Sequence, residues 1–156
     1  MDVIEVDAFL ADSVDGAQGK IYVLGAGWDS ITVQSFPARH PRIGIGVLVR
    51  VPYTATNQEH QLEIGLEDAD GEPHPIGDDP NDPSRKIDRF GASFNVGRPP
   101  QMVAGDSQTV AMAVNIDGLV FTQPGRYSFV LSVDGTEQKR LPVRVASAPR
   151  LGPVRG

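Results

Sequence analysis

The chain has 156 residues, no cysteine and a formal net charge of −6. That length suits one domain with a real core, while the missing cysteines exclude disulfides and thiolate metal sites. The acidic balance argues against a nucleic-acid partner, which needs a basic face to neutralise phosphates.

Seventeen glycines and thirteen prolines predict many turns and short elements rather than long helices. The N-terminus MDVIEVDAFLADSV is acidic and lacks the basic and apolar regions of a signal peptide. No apolar run approaches the ~20 residues of a membrane span. A cytoplasmic location with no membrane partner is expected. A virion or other assembly built from cytoplasmic chains would look the same.

Residues 3–14 read as a first strand, with Ile4, Val6, Ala8 and Leu10 on one face. Asp15, Gly16 and Gly19 break it, and residues 20–24 read as a second. Gly25 and Gly27 interrupt, and residues 28–36 continue as a bulged or third strand, because glycine within a strand pattern marks a bulge. Pro37 and Pro41 bound a polar connection. Ile43, Ile45, Val47, Val49 and Val51 then line one face of a clear strand. Gly44 and Gly46 on its other face predict a second backbone or a bulky side chain packed close. Pro52 ends this strand, and a polar loop leads to Leu62, Ile64 and Leu66, which alternate with polar residues as a half-buried strand does.

Asp68-Ala69-Asp70-Gly71 reads as a turn, and residues 71–88, rich in proline, as a long structureless loop. Phe90, Ala92, Phe94 and Val96 form the next face, closed by Gly97-Arg98-Pro99-Pro100. A short helical turn fits residues 101–105. Val110, Met112, Val114 and Ile116 alternate again, and Asp117-Gly118 reads as a turn.

Tyr127, Phe129, Leu131 and Val133 alternate before Asp134-Gly135, and Leu141, Val143 and Val145 alternate after it. Asp-Gly between two such runs predicts a type I′ hairpin, which requires φ > 0 at both central residues. Pro142 marks the last strand as a sheet edge, since proline cannot donate to a ladder. Lys139, Arg140 and Arg144 would charge that edge, which leaves residues 21–33, around Trp28, as the more attractive edge for a partner. Together with Arg150 and Arg155 these basic residues read as solvated strand and tail positions, not as a binding field.

The expected fold is all-β: one antiparallel immunoglobulin-like sandwich over residues 1–146, followed by a Pro- and Arg-containing tail over 147–156. The turn Pro124-Gly125-Arg126-Tyr127, with a tyrosine near the strand start, fits the late strand of such sandwiches.

Several segments carry a family likeness. They are Gly19-Lys20-Ile21-Tyr22-Val23-Leu24-Gly25-Ala26-Gly27-Trp28-Asp29, Phe36-Pro37-Ala38-Arg39-His40-Pro41, Val51-Pro52 through Asn57 to His60, Asp68-Ala69-Asp70-Gly71, Val96-Gly97-Arg98-Pro99-Pro100 and Pro124-Gly125-Arg126-Tyr127. On these the chain resembles an uncharacterised bacterial, actinobacterial, domain family over nearly its whole length. The resemblance implies a compact cytosolic β-sandwich and supplies no activity, substrate or catalytic residue.

The side chains give little sign of catalysis. His40, His60 and His74 lack ligand spacing, and Ser13, Ser30, Ser93 and Ser107 have no motif that pairs them with a histidine. Gly25 and Gly27 lack the third glycine and the helix of a dinucleotide fingerprint. Asp68, Asp70, Glu72, Asp78, Asp79 and Asp82 offer hard oxygens for Ca²⁺, but not in EF-hand spacing. Asp68 and Asp70 read better as turn residues bonded to their own backbone.

No enzyme activity, cofactor or zinc is expected. Trp28, the single tryptophan, is either core filling or an interface anchor. With Asp29 and the loop arginine Arg98 it makes the candidate interface. The expected role is a binding or adaptor module for a protein partner. The alternative is a structural subunit of a homo-oligomer or larger, virion-type assembly.

Overall fold

Period-two alternation becomes strand nearly everywhere it occurs. The computed structural model describes residues 3–149. In chain order the strands are β1 (Glu5–Ala17), β2 (Lys20–Ala26), β3 (Ser30–Val33), β4 (Ala38–Pro52), β5 (Glu59–Glu67) and β6 (Pro73–His74). There follow β7 (Gly77–Asp79), β8 (Asp82–Ile87), β9 (Arg89–Asn95), β10 (Ser107–Phe121), β11 (Gly125–Val133) and β12 (Thr136–Ser147). Among the described residues the only helical element is one 3-10 turn, Tyr53–Ala55. Residues 150–156, most of the segment read as a tail, lie outside the described residues.

One sheet has the order β10-β4-β1-β2 and is antiparallel throughout. The second runs β3-β12-β11-β5-β6, with β9 also paired along β5. A single apolar cluster joins them. Ile43, Ile45, Val47, Val49 and Val51 of β4 share it with Leu62, Ile64 and Leu66 of β5 and with Phe129, Leu131 and Val133 of β11. Burial of each such side chain contributes roughly 1.5–3 kcal/mol, whereas exposed pairs such as Arg50–Glu5 and Arg42–Asp117 contribute little because water screens them. The core, and not the surface charges, holds the sheets together.

Both outer-face glycines of β4 are covered as the sequence predicts. The Phe9 ring fills the space over Gly46, and a Cβ on Gly44 would stand 3.1 Å from the Ser13 and Val14 backbone. The β1–β4 ladder stops at Ala11↔Gly44, and β1 then passes over β4 toward β10. There the Asn115 side chain stands in for a strand. Its carboxamide oxygen accepts the Val14 N–H (3.0 Å) and its Nδ2 donates to the Val14 carbonyl (2.8 Å). Ala11 and Val14 are buried beneath this crossing, outside the main core cluster.

The hairpin expectation holds in detail. Val133 pairs with Thr136, and Asp134 (φ 52°) and Gly135 (φ 81°) both occupy the left-handed region. The Tyr127 hydroxyl donates to the Gln123 carbonyl (2.7 Å), bracing the entry to β11.

Other expectations need correction. The chain is not purely antiparallel, because β3 leaves the first sheet and pairs in parallel with β12 over Arg144↔Ser30 to Ser147↔Val33. β12 is therefore an edge only over residues 136–143. Arg144 donates its N–H to the Asp29 carbonyl (2.8 Å) on the β3 side, so Pro142, two residues earlier, turns its missing donor the same way, outward.

Pro41 lies inside β4, where only β10 flanks it, the edge setting in which a strand tolerates proline. Asp117-Gly118 is no turn. Asp117↔Arg42 and Leu119↔His40 carry the register straight through it, since residues 119–121 find their partners farther along β4 rather than back in β10. Residues 71–88 are not structureless but hold β6 and the β7–β8 hairpin. No helical turn forms at residues 101–105, where Met102 and Asp106 close plain turns on Pro99 and Val103.

Two substitutions test these supports. Gly135→Val should destabilise the protein by about 1–2 kcal/mol, because a β-branched residue resists φ > 0. Asn115→Ala should cost about 1–3 kcal/mol by stranding the Val14 donor and acceptor. Chemical denaturation measures both, and an unchanged midpoint for either variant would contradict the corresponding contact.

Candidate functional site

Trp28 sits where the chain leaves the first sheet for the second. Its ring is half-buried against the core and lies 6.3 Å, centroid to centroid, from His40. Its indole Nε1 is buried without a hydrogen-bond partner. The other side of this segment opens on a cleft of about 180 Å³ lined by Phe9, Leu10, Gly27, Trp28, Asp29, Leu141 and Pro142. Trp28 thus fills core and lines surface at once. His40 is held below its ordinary pKa, chiefly by burial, against the opposing effects of its backbone contact at Arg42 and the charge of Asp12.

Asp29 shares the cleft, but Arg98 does not. Arg98 donates from Nε to the Thr56 hydroxyl (2.9 Å) and from Nη2 to the Tyr53 carbonyl (2.8 Å), and its guanidinium stacks 3.7 Å above the Tyr53 ring. Its polar contacts go to the β4–β5 connection, so it braces two loops against each other rather than forming part of the Trp28 surface.

Beside the cleft runs β2, the first strand of the 21–33 region. It is the last strand of its sheet. Tyr22 and Leu24 are 54% and 73% exposed, and Val23 is 37% exposed. Gln18 and Gly19, both at positive φ, close the β1–β2 hairpin at Ala17↔Lys20. In such a two-residue hairpin the closing pair is hydrogen-bonded and alternate residues bond inward. Lys20, Tyr22 and Leu24 therefore bond to β1, while Ile21 and Val23 turn N–H and C=O outward. Val14, opposite Val23, agrees with this, since its own groups turn away from β2 to Asn115.

A second constellation lies in the second sheet. His60 is 5% exposed. Its Nδ1 is 2.7 Å from an Asp134 carboxylate oxygen and its Nε2 is 2.7 Å from the Ala55 carbonyl. Both neighbours are acceptors, so only the imidazolium can satisfy both. The other Asp134 oxygen accepts the Gln61 N–H (2.9 Å). Burial opposes the imidazolium, but the Asp134 hydrogen bond, the Ala55 carbonyl and the Asp134 charge together raise the His60 pKa above its ordinary 6.5. The hydrogen bond from His60 holds Asp134 below its ordinary 3.8. The pair ties β5 to the β11–β12 turn and to the 3-10 turn. Its signal was present in the sequence, since His60 falls in phase with Leu62, Ile64 and Leu66.

The acidic residues are mostly engaged locally. Asp68 accepts the Asp70 and Glu72 N–H groups, Asp79 accepts that of Asn81, Asp82 that of Ser84, and Asp78 pairs with Lys86. Among the described residues no three His, Asp or Glu side chains gather where they could hold a metal ion. Likewise, no helix there is long and apolar enough to cross a membrane. His74 Nδ1 contacts the Pro75 carbonyl (2.8 Å), and Ser13 and Ser93 bond to Arg42 and Gln61.

Residues 6–146 match a family described as a family of unknown function, DUF6941. The chain belongs to that family. No curated protein matches it. The DUF6941 match covers both sheets, the whole of β2 and the Trp28 cleft, so the surface lies within the family domain and not in an appendage.

The His60–Asp134 pair sets a pH dependence. A raised imidazole pKa contributes stability that is fully present below about 6.5 and is lost as pH rises through the raised value. A depressed carboxylate pKa contributes stability present above about 3.8 and lost as pH falls through the depressed value. The pair is therefore strongest in mildly acid solution. The denaturation midpoint should fall as pH rises from about 6 toward about 9, as His60 loses its proton. Asp134→Asn, which tolerates the positive φ, should flatten that fall. An equally steep fall in the variant would contradict the assignment.

Proposed function

We propose that this DUF6941 chain is a non-enzymatic binding module that engages a protein partner through β2 and the adjoining Trp28 cleft. The observation that carries the reading is the state of β2. Its outward amides are unpaired and its exposed side chains are apolar, with Lys20 as its one charge. Natural sheet edges are covered, shortened, charged or broken by proline. The free part of β12 has Pro142, Lys139 and Arg140, and β3 has only four residues. β2 has no comparable protection, and exposed apolar surface of this kind marks interaction sites. The half-buried tryptophan beside it adds the residue type most enriched at binding hot spots.

The finer fold reading is an immunoglobulin-like sandwich, supported by the Tyr127–Gln123 hydrogen bond at the start of β11. The absence of cysteine suits the cytoplasm of a bacterial, actinobacterial, cell. The acidic surface speaks against nucleic acid as partner. A structural subunit of a homo-oligomer or larger assembly is the second reading, favoured by the same unprotected edge.

Photo-crosslinking amino acids at position 24 and, as a control, at exposed position 70 test the surface. Irradiation in the native host should give protein adducts from position 24 and none from position 70. Equal yields from both positions, or none from position 24, would overturn the reading.

A further inference from the structure

Resting on that reading, we infer that the partner of β2 is a second copy of this chain, added edge to edge across a two-fold axis at Val23. A two-fold contact must be self-complementary, each residue meeting the one that mirrors it about the axis. β2 spans Lys20–Ala26, so its midpoint is Val23. Val23 is also a residue whose N–H and C=O turn outward, as a hydrogen-bonded pair on the axis requires.

In this register Val23 exchanges both backbone bonds with Val23 of the second copy, and Ile21 turns its groups toward Gly25 of the second copy. Tyr22 and Leu24 stand one residue either side of the midpoint. Each therefore lands opposite the other, and the strand's two most exposed large hydrophobic side chains form two cross-strand aromatic–aliphatic pairs, a favourable combination.

The charges agree. Lys20 is the strand's one charge, and the two-fold sets the two lysines at opposite ends of the contact, six residues apart in register. Each lies opposite Ala26 and next to Gly25 of the second copy. The Asp12 carboxylate fills the Cβ position of Gly25 on the opposite face, and the register sets neither lysine against a like charge. The pairing would join two four-stranded sheets into one of eight strands. The contact is one short strand wide, smaller than the interfaces of permanent dimers, so the dimer should dissociate on dilution.

The test is analytical ultracentrifugation of the full chain from low to high micromolar concentration, with two variants. Val23→Pro removes a donor that the monomer does not use, at an edge position where a strand tolerates proline. Leu24→Lys changes a side chain that the monomer leaves exposed and sets a charge against Tyr22 of the second copy. The parent should pass from monomer to dimer as concentration rises. Val23→Pro should stay monomeric with the parent's circular dichroism, and Leu24→Lys should weaken the dimer about tenfold or more. Should Val23→Pro fail to fold, Leu24→Lys decides alone.

A parent that stays monomeric throughout, or variants that dimerise as the parent does, would overturn the inference. The position-24 adducts separate the two failures. Adducts with a different protein from a monomeric parent overturn self-pairing and leave the binding module standing, whereas no adduct and no dimer sink both.

Discussion

Two missing side chains on β4 govern the first sheet. Because Gly44 and Gly46 carry no Cβ, the Phe9 ring and the Ser13–Val14 backbone lie directly against the outer face of the strand. A ladder cannot continue through so close a crossing, and the β1–β4 pairing ends at Gly44. The Val14 backbone is then satisfied by the carboxamide of Asn115 from β10, one strand farther on. A buried amide left unpaired costs about as much as a lost hydrogen bond, so Asn115 makes the crossing tenable. The consequence falls on β2. It pairs only with β1 and keeps its outer edge open.

The other sheet is organised by a charge instead of a gap. His60 occupies a core-phased position on β5, and a buried imidazolium is tolerable only when paired. Asp134 supplies the pairing from a turn whose left-handed backbone Asp-Gly suits. The same aspartate accepts the Gln61 N–H and its own N–H donates to the Gln61 carbonyl (2.9 Å). Turn chemistry, strand register and ionisation state are thereby one cooperative unit. Nearby, the Phe94 ring lies 5.3 Å from His60, and Arg98 braces Tyr53 and Thr56. One sheet is therefore locked at its turn while the other ends in an unprotected edge, which is why the proposed binding surface falls on β2.

Much of this was legible in the residues. Alternation located most of the longer strands, and the paired glycines of β4 announced a close approach, though not that Phe9 and β1 would make it. Two of the Asp-Gly pairs show the limit of a local signal. At 134–135 the flanking runs pair with each other, but at 117–118 both flanks pair with β4, and no dipeptide records which partner lies farther off. The parallel seat of β3 was equally invisible, since four residues carry no mark of direction. The sequence marks residues 21–33 as the better edge for a partner, but not which of their strands is open. Ile21-Tyr22-Val23-Leu24 is a continuous apolar run, the pattern of a strand buried on both faces, and an edge strand awaiting a partner has the same pattern. Trp28 stood out by being unique, but its half-buried state depends on where β3 departs.

Amide hydrogen exchange resolved by residue, on the dilute protein, tests the central claim that the crossing at Gly44 leaves β2 with an open outer edge. The Tyr22 and Leu24 amides, bonded to β1, should be protected, while those of Ile21 and Val23 exchange at close to the rate of a free peptide. Protection of all four would mean that the chain itself covers the edge. Protection of none would mean that the β1–β2 hairpin is not held by the crossing, and either result would contradict the account.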